Sequence, residues 1–478
     1  MRRDNEDTER STPPAPHLSV HGHDACEDQV KMAEHDYSTP QGAGAPPRKA
    51  APEGVREAEV RRARTRLGRV FKILGPGFIA GASDDDPSGV GTYAVAGASL
   101  GYATLWTAWV TFPMMAAAQF IAAKIGIVTG VGLVGVLCRH YPHWLGYSAA
   151  LSLAVACAIN AGADLGAIAA ALNLLIPIPA SAIVVPLAVM LVVLQVWGSY
   201  RLIARVFQWL ALALLAYIAA AIYARPDAAE VLRSTFIPTI RFDREFLLTV
   251  VAILGTTISP YMWFWQASQE VEEMVDKGQR RLWQRRGATA TELRYAAWDV
   301  NVGMAFSNVV MYFVILASAA TLFRSGHSEI HSAREAAEAL RPVAGAGAST
   351  LFALGLVGSG MLAIPILTGS AAYAVGEVFG WRVGFEKPLH RAKQFYGVMV
   401  VSTLVGVEIN FLGVNPIDAL FWAAVIFGFL APPLLATMML VANNRRIMGA
   451  RVNGIGLNVL GWATTIIMAA AAVALVLT

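Results

Sequence analysis

Long apolar stretches constrain this chain more than any other feature. From residue 71 onward eleven of them follow one another, near 73–98, 104–125, 146–172, 179–198, 203–224, 247–266, 298–323, 348–378, 395–413, 416–442 and 454–477. A helix rises about 1.5 Å per residue, so most of them are long enough to cross an apolar layer of about 30 Å. The ninth is short, and the third and eighth have length to spare for tilting or bending. Because the stretches are continuous and do not alternate in polarity, they argue against a transmembrane β-barrel. Only 15% of the residues are charged, against about 25% in soluble domains. The expected architecture is an all-α polytopic membrane protein with the lipid bilayer as its solvent.

Residues 1–66 belong to another compositional class. They are rich in Pro and charge, with pieces such as Thr12-Pro13-Pro14-Ala15-Pro16, and bury too little apolar surface to offset the entropy of ordering. They read as a disordered cytoplasmic tail, leaving 67–478 as one transmembrane domain. With the N-terminus inside, thirty of the 37 Lys and Arg residues fall in the tail and the inner loops. That bias sets the N-terminus in the cytoplasm. An odd number of crossings then carries the C-terminus outside, in the cell (inner) membrane. The basic run from Lys277 to Arg294 is an orientation signal beside a span, so no nucleic-acid partner is expected. Cys26, Cys138 and Cys157 lack metal-ligand spacing.

The first stretch is interrupted by Asp84-Asp85-Asp86-Pro87-Ser88-Gly89. Charge at membrane depth is expensive and is kept where it has a partner or a water-filled cavity. Pro87 removes a backbone donor, and unwound backbone is tolerated only where protein or a cavity covers it. A broken helix is therefore expected here. Three adjacent carboxylates repel one another unless a cation is held or some are protonated. Successive helical residues point about 100° apart, so an intact helix cannot aim all three at one ion. Asp86, beside the break, is the expected direct ligand, with Asp84 and Asp85 at the entrance or in an outer shell. The other reading, a span ending at Ser83 with the acids in a solvated loop, leaves Val90–Leu100 too short to cross.

The sixth stretch carries a second interruption, Gly255-Thr256-Thr257-Ile258-Ser259-Pro260-Tyr261. Paired breaks five spans apart point to an inverted-repeat transporter with its substrate at the midplane. Spans one to five and six to ten would form the repeats, with an eleventh helix added.

At these residues the sequence resembles the Nramp family of divalent metal transporters. Gly75-Pro76-Gly77-Phe78 matches the family's first-helix opening, and Asp86-Pro87-Ser88-Gly89 falls where it has Asp-Pro-Gly-Asn. Ala123-Lys124-Ile125-Gly126, Asp164-Leu165, Asp299, Asn308 and Arg445-Arg446-Ile447-Met448-Gly449 also look like the family. The resemblance runs in order through most of 71–450. It implies the LeuT-like fold and metal transport, usually coupled to protons, with the divalent cation as cargo and no cofactor.

Several positions depart from the family. Gly89 replaces an Asn ligand, Ser259-Pro260-Tyr261 stands where the family has Met-Pro-His, Gln266 falls at a second His, and Ala167 at an acidic residue. No histidine lies within any assigned span, which excludes a histidine relay and puts proton coupling in doubt. Thioethers favour softer transition metals, whereas carboxylate, carbonyl and water suit Mg²⁺ and Mn²⁺. The changes resemble the Nramp-related magnesium branch, with Mg²⁺ or Mn²⁺ expected at Asp86, Ser88, Gly89 and Ser259. Thr256, Tyr261, Gln266, Gln269, Glu270, Asp164 and Asp299 are outer-shell or pathway candidates. Asp164 and Asp299 equally suit structural pairing, and the α-helical Gln266, Gln269 and Glu270 equally suit snorkelling at a helix end. Glu377, Glu408 and Asp418 are expected to be solvated at the interface. Three other readings are a proton-coupled Mn²⁺ or Fe²⁺ importer, a Na⁺-coupled carrier of organic solutes, and a membrane-embedded enzyme. A carboxylate substrate would be repelled by three Asp, and no His-Glu-x-x-His occurs.

Overall fold

The computed structural model describes residues 75–198, 212–326, 330 and 332–478. The tail read over 1–66 and the start of the fifth span lie outside them. Among the described residues all regular structure is helical. In chain order the α-helices longer than four residues are α1 Pro76–Asp84, α2 Pro87–Leu100, α3 Thr107–Thr129, α4 Leu133–His140, α5 His143–Asn173, α6 Ala180–Trp197, α7 Ala216–Tyr223 and α8 Ala228–Phe236. They continue with α9 Arg244–Thr257, α10 Pro260–Asp276, α11 Ala290–Thr321, α12 Ala333–Glu338, α13 Ala348–Phe379, α14 Lys393–Ile409, α15 Pro416–Asn443 and α16 Ile455–Leu477. Among the described residues eight segments, counting α9 with α10 as one, are long and apolar enough to cross a membrane; of the eleven expected, the first is divided by its break, the fifth lies partly outside the described residues and the ninth forms a helix of 17 residues.

The two expected breaks fall between α1 and α2 and between α9 and α10, and they are built alike. Each comprises two residues: Asp85 and Ile258 leave the helical region with positive ψ, and Asp86 and Ser259 follow in extended conformation. The cause is local. A residue before proline is driven from the α region, and proline is well placed as the first residue of the next helix. Pro87 and Pro260 each start a new half-helix on this rule.

The half-helices pack in reciprocal fashion. α2 lies along α11, and α10 lies along α3, as expected if the second half of the chain repeats the first upside down. Small residues permit this closeness, as they commonly do where helices meet in lipid. A side chain at Gly97 would run into Ile315 and Ser318 of α11, and one at Gly126 into the Ala267 backbone of α10. α1 also crosses α11 backbone to backbone, Gly81 against Gly303. The long helices α5 and α13 pack on each other and frame the first break.

Asp299 belongs to this frame. Its carboxylate accepts hydrogen bonds from the backbone N–H groups of Gly75 (2.8 Å), Gly77 (2.9 Å) and Phe78 (2.9 Å). The first amides of a helix have no partners within it, and here an acid on α11 supplies them. Asp299 thus anchors the start of α1, about 12 Å of helix from the break by rise per residue. Of its two readings, these hydrogen bonds match structural pairing.

Candidate metal site at the paired breaks

Asp84, Asp85 and Asp86 are each 1% exposed, so neither a solvated loop nor a wet entrance describes them. They diverge, as the helical geometry demands. Asp86 caps α2: its Oδ1 accepts from Gly89 N (2.7 Å) and Ser88 Oγ (2.7 Å). Its Oδ2 accepts from Asn160 Nδ2 on α5 (3.2 Å) and, at a longer 3.4 Å, from Tyr261 OH on α10. The acid at the first break therefore touches α5 and the helix that follows the second break. Asp84 and Asp85 turn to α11 instead, where Ser307 Oγ donates to Asp84 Oδ2 (2.7 Å) and Asp85 Oδ1 (3.3 Å).

Asp164, a candidate with two readings, is brought to the break. The Ser88 N–H donates to its Oδ1 at 3.1 Å, while its Oδ2 and the side-chain oxygen of Asn160 are buried without a hydrogen-bond partner. Asn160 and Asp164 stand four residues apart, hence on one face of α5. Tyr93 of α2 and Thr257 of α9 share a hydrogen bond of 3.1 Å, which ties the two breaks together.

Gly89 has no side-chain donor and its N–H faces Asp86; its bareness lets oxygens of both breaks come close. A methyl group built on it would stand 3.1 Å from the Asp84 carbonyl oxygen, 3.3 Å from Thr256 Oγ1 and 3.4 Å from Asp86 Oδ1. Three oxygens from both breaks thus surround the place where a side chain would be. The C-terminal ends of α1 and α9, with their partial negative charge, meet at the same place. Ser259 Oγ donates back to the Gly255 carbonyl (3.0 Å) and the Thr256 carbonyl, which commits its hydrogen to the preceding turn. Met311, one turn beyond Ser307, offers its sulfur to the hydroxyls of Thr257 (3.7 Å) and Thr111 (3.9 Å). Among the described residues no three His, Cys, Asp or Glu side chains are grouped to hold a metal. An ion at this place would have to add carbonyls, hydroxyls, amide oxygen and its own waters to the Asp86 carboxylate.

The polar residues after the second break are internal, which overturns snorkelling for Gln266 and Glu270. Gln119 of α3 donates to Gln266 Oε1 (3.0 Å) and the Met262 carbonyl (3.3 Å), and Gln266 donates to Glu270 Oε1 (2.9 Å). Gln269 faces away toward α13, accepting from Tyr373 OH at 3.4 Å; Tyr373 also donates to Glu272. Solvation does not explain Glu377 either: it accepts from Ser268 Oγ (2.7 Å) and from Gly135 N (2.9 Å) in the first turn of α4. Asn160, Ser307 and Gln119 went unrecognised in the sequence. For Asn160 a signal existed, a second polar residue one turn before Asp164. Lone hydroxyls and amides in apolar helices are too common to mark Ser307 or Gln119.

The family model for natural resistance-associated macrophage protein-like (Nramp) chains matches residues 77–478. The chain belongs to the Nramp family. As an Nramp protein it is a membrane transporter of divalent metal cations and not an enzyme. A divalent metal cation transporter MntH from Klebsiella pneumoniae (strain 342) is 26% identical over 413 residues, which cover 85% of this chain and 94% of the relative. A manganese transporter of Eremococcus coleocola, crystallised with an aromatic bis-isothiourea substituted compound, superposes with a TM-score of 0.69 at 20% identity, over 86% of this chain and 87% of that one. The nucleobase-cation-symport-1 family transporter Mhp1, closed around bromovinylhydantoin, superposes at 0.52 with 14% identity, over 84% of this chain and 91% of the other. The Nramp chain thus has the LeuT-like inverted-repeat fold expected from its two breaks.

Proposed function

We propose that this Nramp transporter carries Mg²⁺, and Mn²⁺ with it, as a partly hydrated ion held at the paired breaks by Asp86. The observation that carries the reading is the convergence of oxygens from both breaks on Gly89: the Asp84 carbonyl, Thr256 Oγ1 and Asp86 Oδ1 all stand within 3.1–3.4 Å of one point. Mg²⁺ gives up water reluctantly and is usually bound through one or two carboxylates with several waters kept. Glycine at 89 and serine at 259 supply no soft donor. Asn160 Oδ1 and Asp164 Oδ2 supply further hard oxygens on the α5 side. Transport proceeds without proton coupling through histidine, in a cell membrane with the N-terminus cytoplasmic and the C-terminus outside, as the Lys and Arg distribution supports.

The test is ion flux into proteoliposomes with Mg²⁺ competing against Mn²⁺. Comparable concentrations of Mg²⁺ are expected to suppress Mn²⁺ uptake, and collapsing a pH gradient to leave it unchanged. Indifference to excess Mg²⁺ together with loss of uptake on collapse would favour proton-coupled Mn²⁺ or Fe²⁺ import. Asp86→Ala is expected to abolish flux while the protein still elutes as a folded species; normal flux removes Asp86 from the site.

A further inference from the structure

Four carboxylates, Asp84, Asp85, Asp86 and Asp164, are buried around the first break, none more than 1% exposed. Among the described residues none of the four takes part in an ion pair. With all four ionised, one dication at Asp86 offsets two negative charges and leaves two more at membrane depth, where unbalanced charge is rarely retained.

The structure sorts the acids into two pairs on opposite sides of the break. Asp86 and Asp164 meet through Ser88, against α5. Asp84 and Asp85 converge on Ser307 of α11, at 2.7 Å and 3.3 Å. The second pair is incomplete: Asp85 Oδ2 is fully buried and has no hydrogen-bond partner. A buried carboxylate oxygen left bare is costly. Ser307 cannot repair it, because its single hydrogen is already shared between the two acids.

We propose that Asp84, Asp85 and Ser307 form a second site for a divalent cation, filled together with the site at Asp86. The proposal rests on reading Asp86 as the first site. Two carboxylates match the charge of one dication, and the Ser307 oxygen adds a hard donor that suits Mg²⁺ or Mn²⁺. Waters complete the shell. Four carboxylates then balance two dications, which removes the repulsion that three adjacent acids otherwise impose.

Mn²⁺ is the probe, counted by equilibrium dialysis on the full purified chain and followed by electron paramagnetic resonance. Wild-type protein is expected to bind two Mn²⁺ with spin–spin broadening between them. Asp85→Asn keeps the shape of the side chain and is expected to bind one, without broadening. Asp86→Asn is expected to bind one as well, the other ion. Ser307→Ala, which changes no charge, is expected to weaken the second Mn²⁺ about tenfold and leave the first unchanged. One Mn²⁺ in wild type, kept in Asp85→Asn and lost in Asp86→Asn, overturns the second site and leaves the first standing. One Mn²⁺ lost in Asp85→Asn but kept in Asp86→Asn overturns both assignments. Unaltered affinities in Ser307→Ala also overturn the proposal. Should Asp85→Asn fail to fold, anomalous scattering from Mn²⁺-soaked wild-type crystals decides: two peaks flanking residues 84–86 are expected, and one peak refutes the second site.

Discussion

Gly89→Ala crowds the oxygens beside Asp86 and leaves the acid itself in place. Residue 89 is helical, and alanine is favoured over glycine there by about 1 kcal/mol. Against this, the new methyl would meet oxygens at 3.1, 3.3 and 3.4 Å, and crowding of that kind typically costs about 1–3 kcal/mol. The two effects largely offset each other, so the variant is expected to fold with little change in melting temperature. Ion binding has no such compensation. The methyl forces the Asp84 carbonyl, Thr256 Oγ1 and Asp86 Oδ1 away from the ion they would hold together. Losing two of those contacts, at about 0.5–1.5 kcal/mol each, costs about 1–3 kcal/mol. That corresponds to a roughly 5- to 150-fold rise in half-saturating Mg²⁺ at about 1.4 kcal/mol per decade. Dye-reported flux into proteoliposomes, measured across Mg²⁺ concentrations, reads it directly. A half-saturating concentration equal to wild type, in a variant of normal stability, would refute a hydrated ion at this place.

Other substitutions probe neighbouring parts of the same account. Ser259→Met brings a thioether to the second break and is expected to move the Mn²⁺-over-Mg²⁺ flux ratio about tenfold toward Mn²⁺; an unchanged ratio shows that position 259 does not face the ion. Asp299→Ala takes the acceptor from the amides of Gly75, Gly77 and Phe78, one buried and two part-buried, at about 1–3 kcal/mol for each group left bare. It should lower thermal stability by several degrees, and an unaltered melting temperature with lost transport would restore Asp299 to the ion path. Gln119→Leu removes the donor to Gln266 Oε1 and should slow Mg²⁺ flux if α10's polar face is the route, with half-saturation unchanged. A rate equal to wild type removes that face from the route.

Sequence alone determined the skeleton of this protein. Apolar length set the type of the spans, because the bilayer core has a fixed thickness and only internally satisfied backbone can cross it. Pro87 and Pro260 marked both breaks to within a residue, since the constraint a proline places on its predecessor is local. The missing sulfur at 259 and missing side chain at 89 were equally plain, being matters of identity. Partnership was not legible. An isolated Asp in an apolar span advertises that it has a partner, but not which: Asp299 found the amides of α1, and Asp164 found Ser88. Ser307, Asn160 and Gln119 acquire meaning only when α11, α5 and α3 are laid against the broken helices. Which buried oxygens are satisfied, and which are left for a cation, depends on distances between helices far apart in sequence. Only the packed structure decides those.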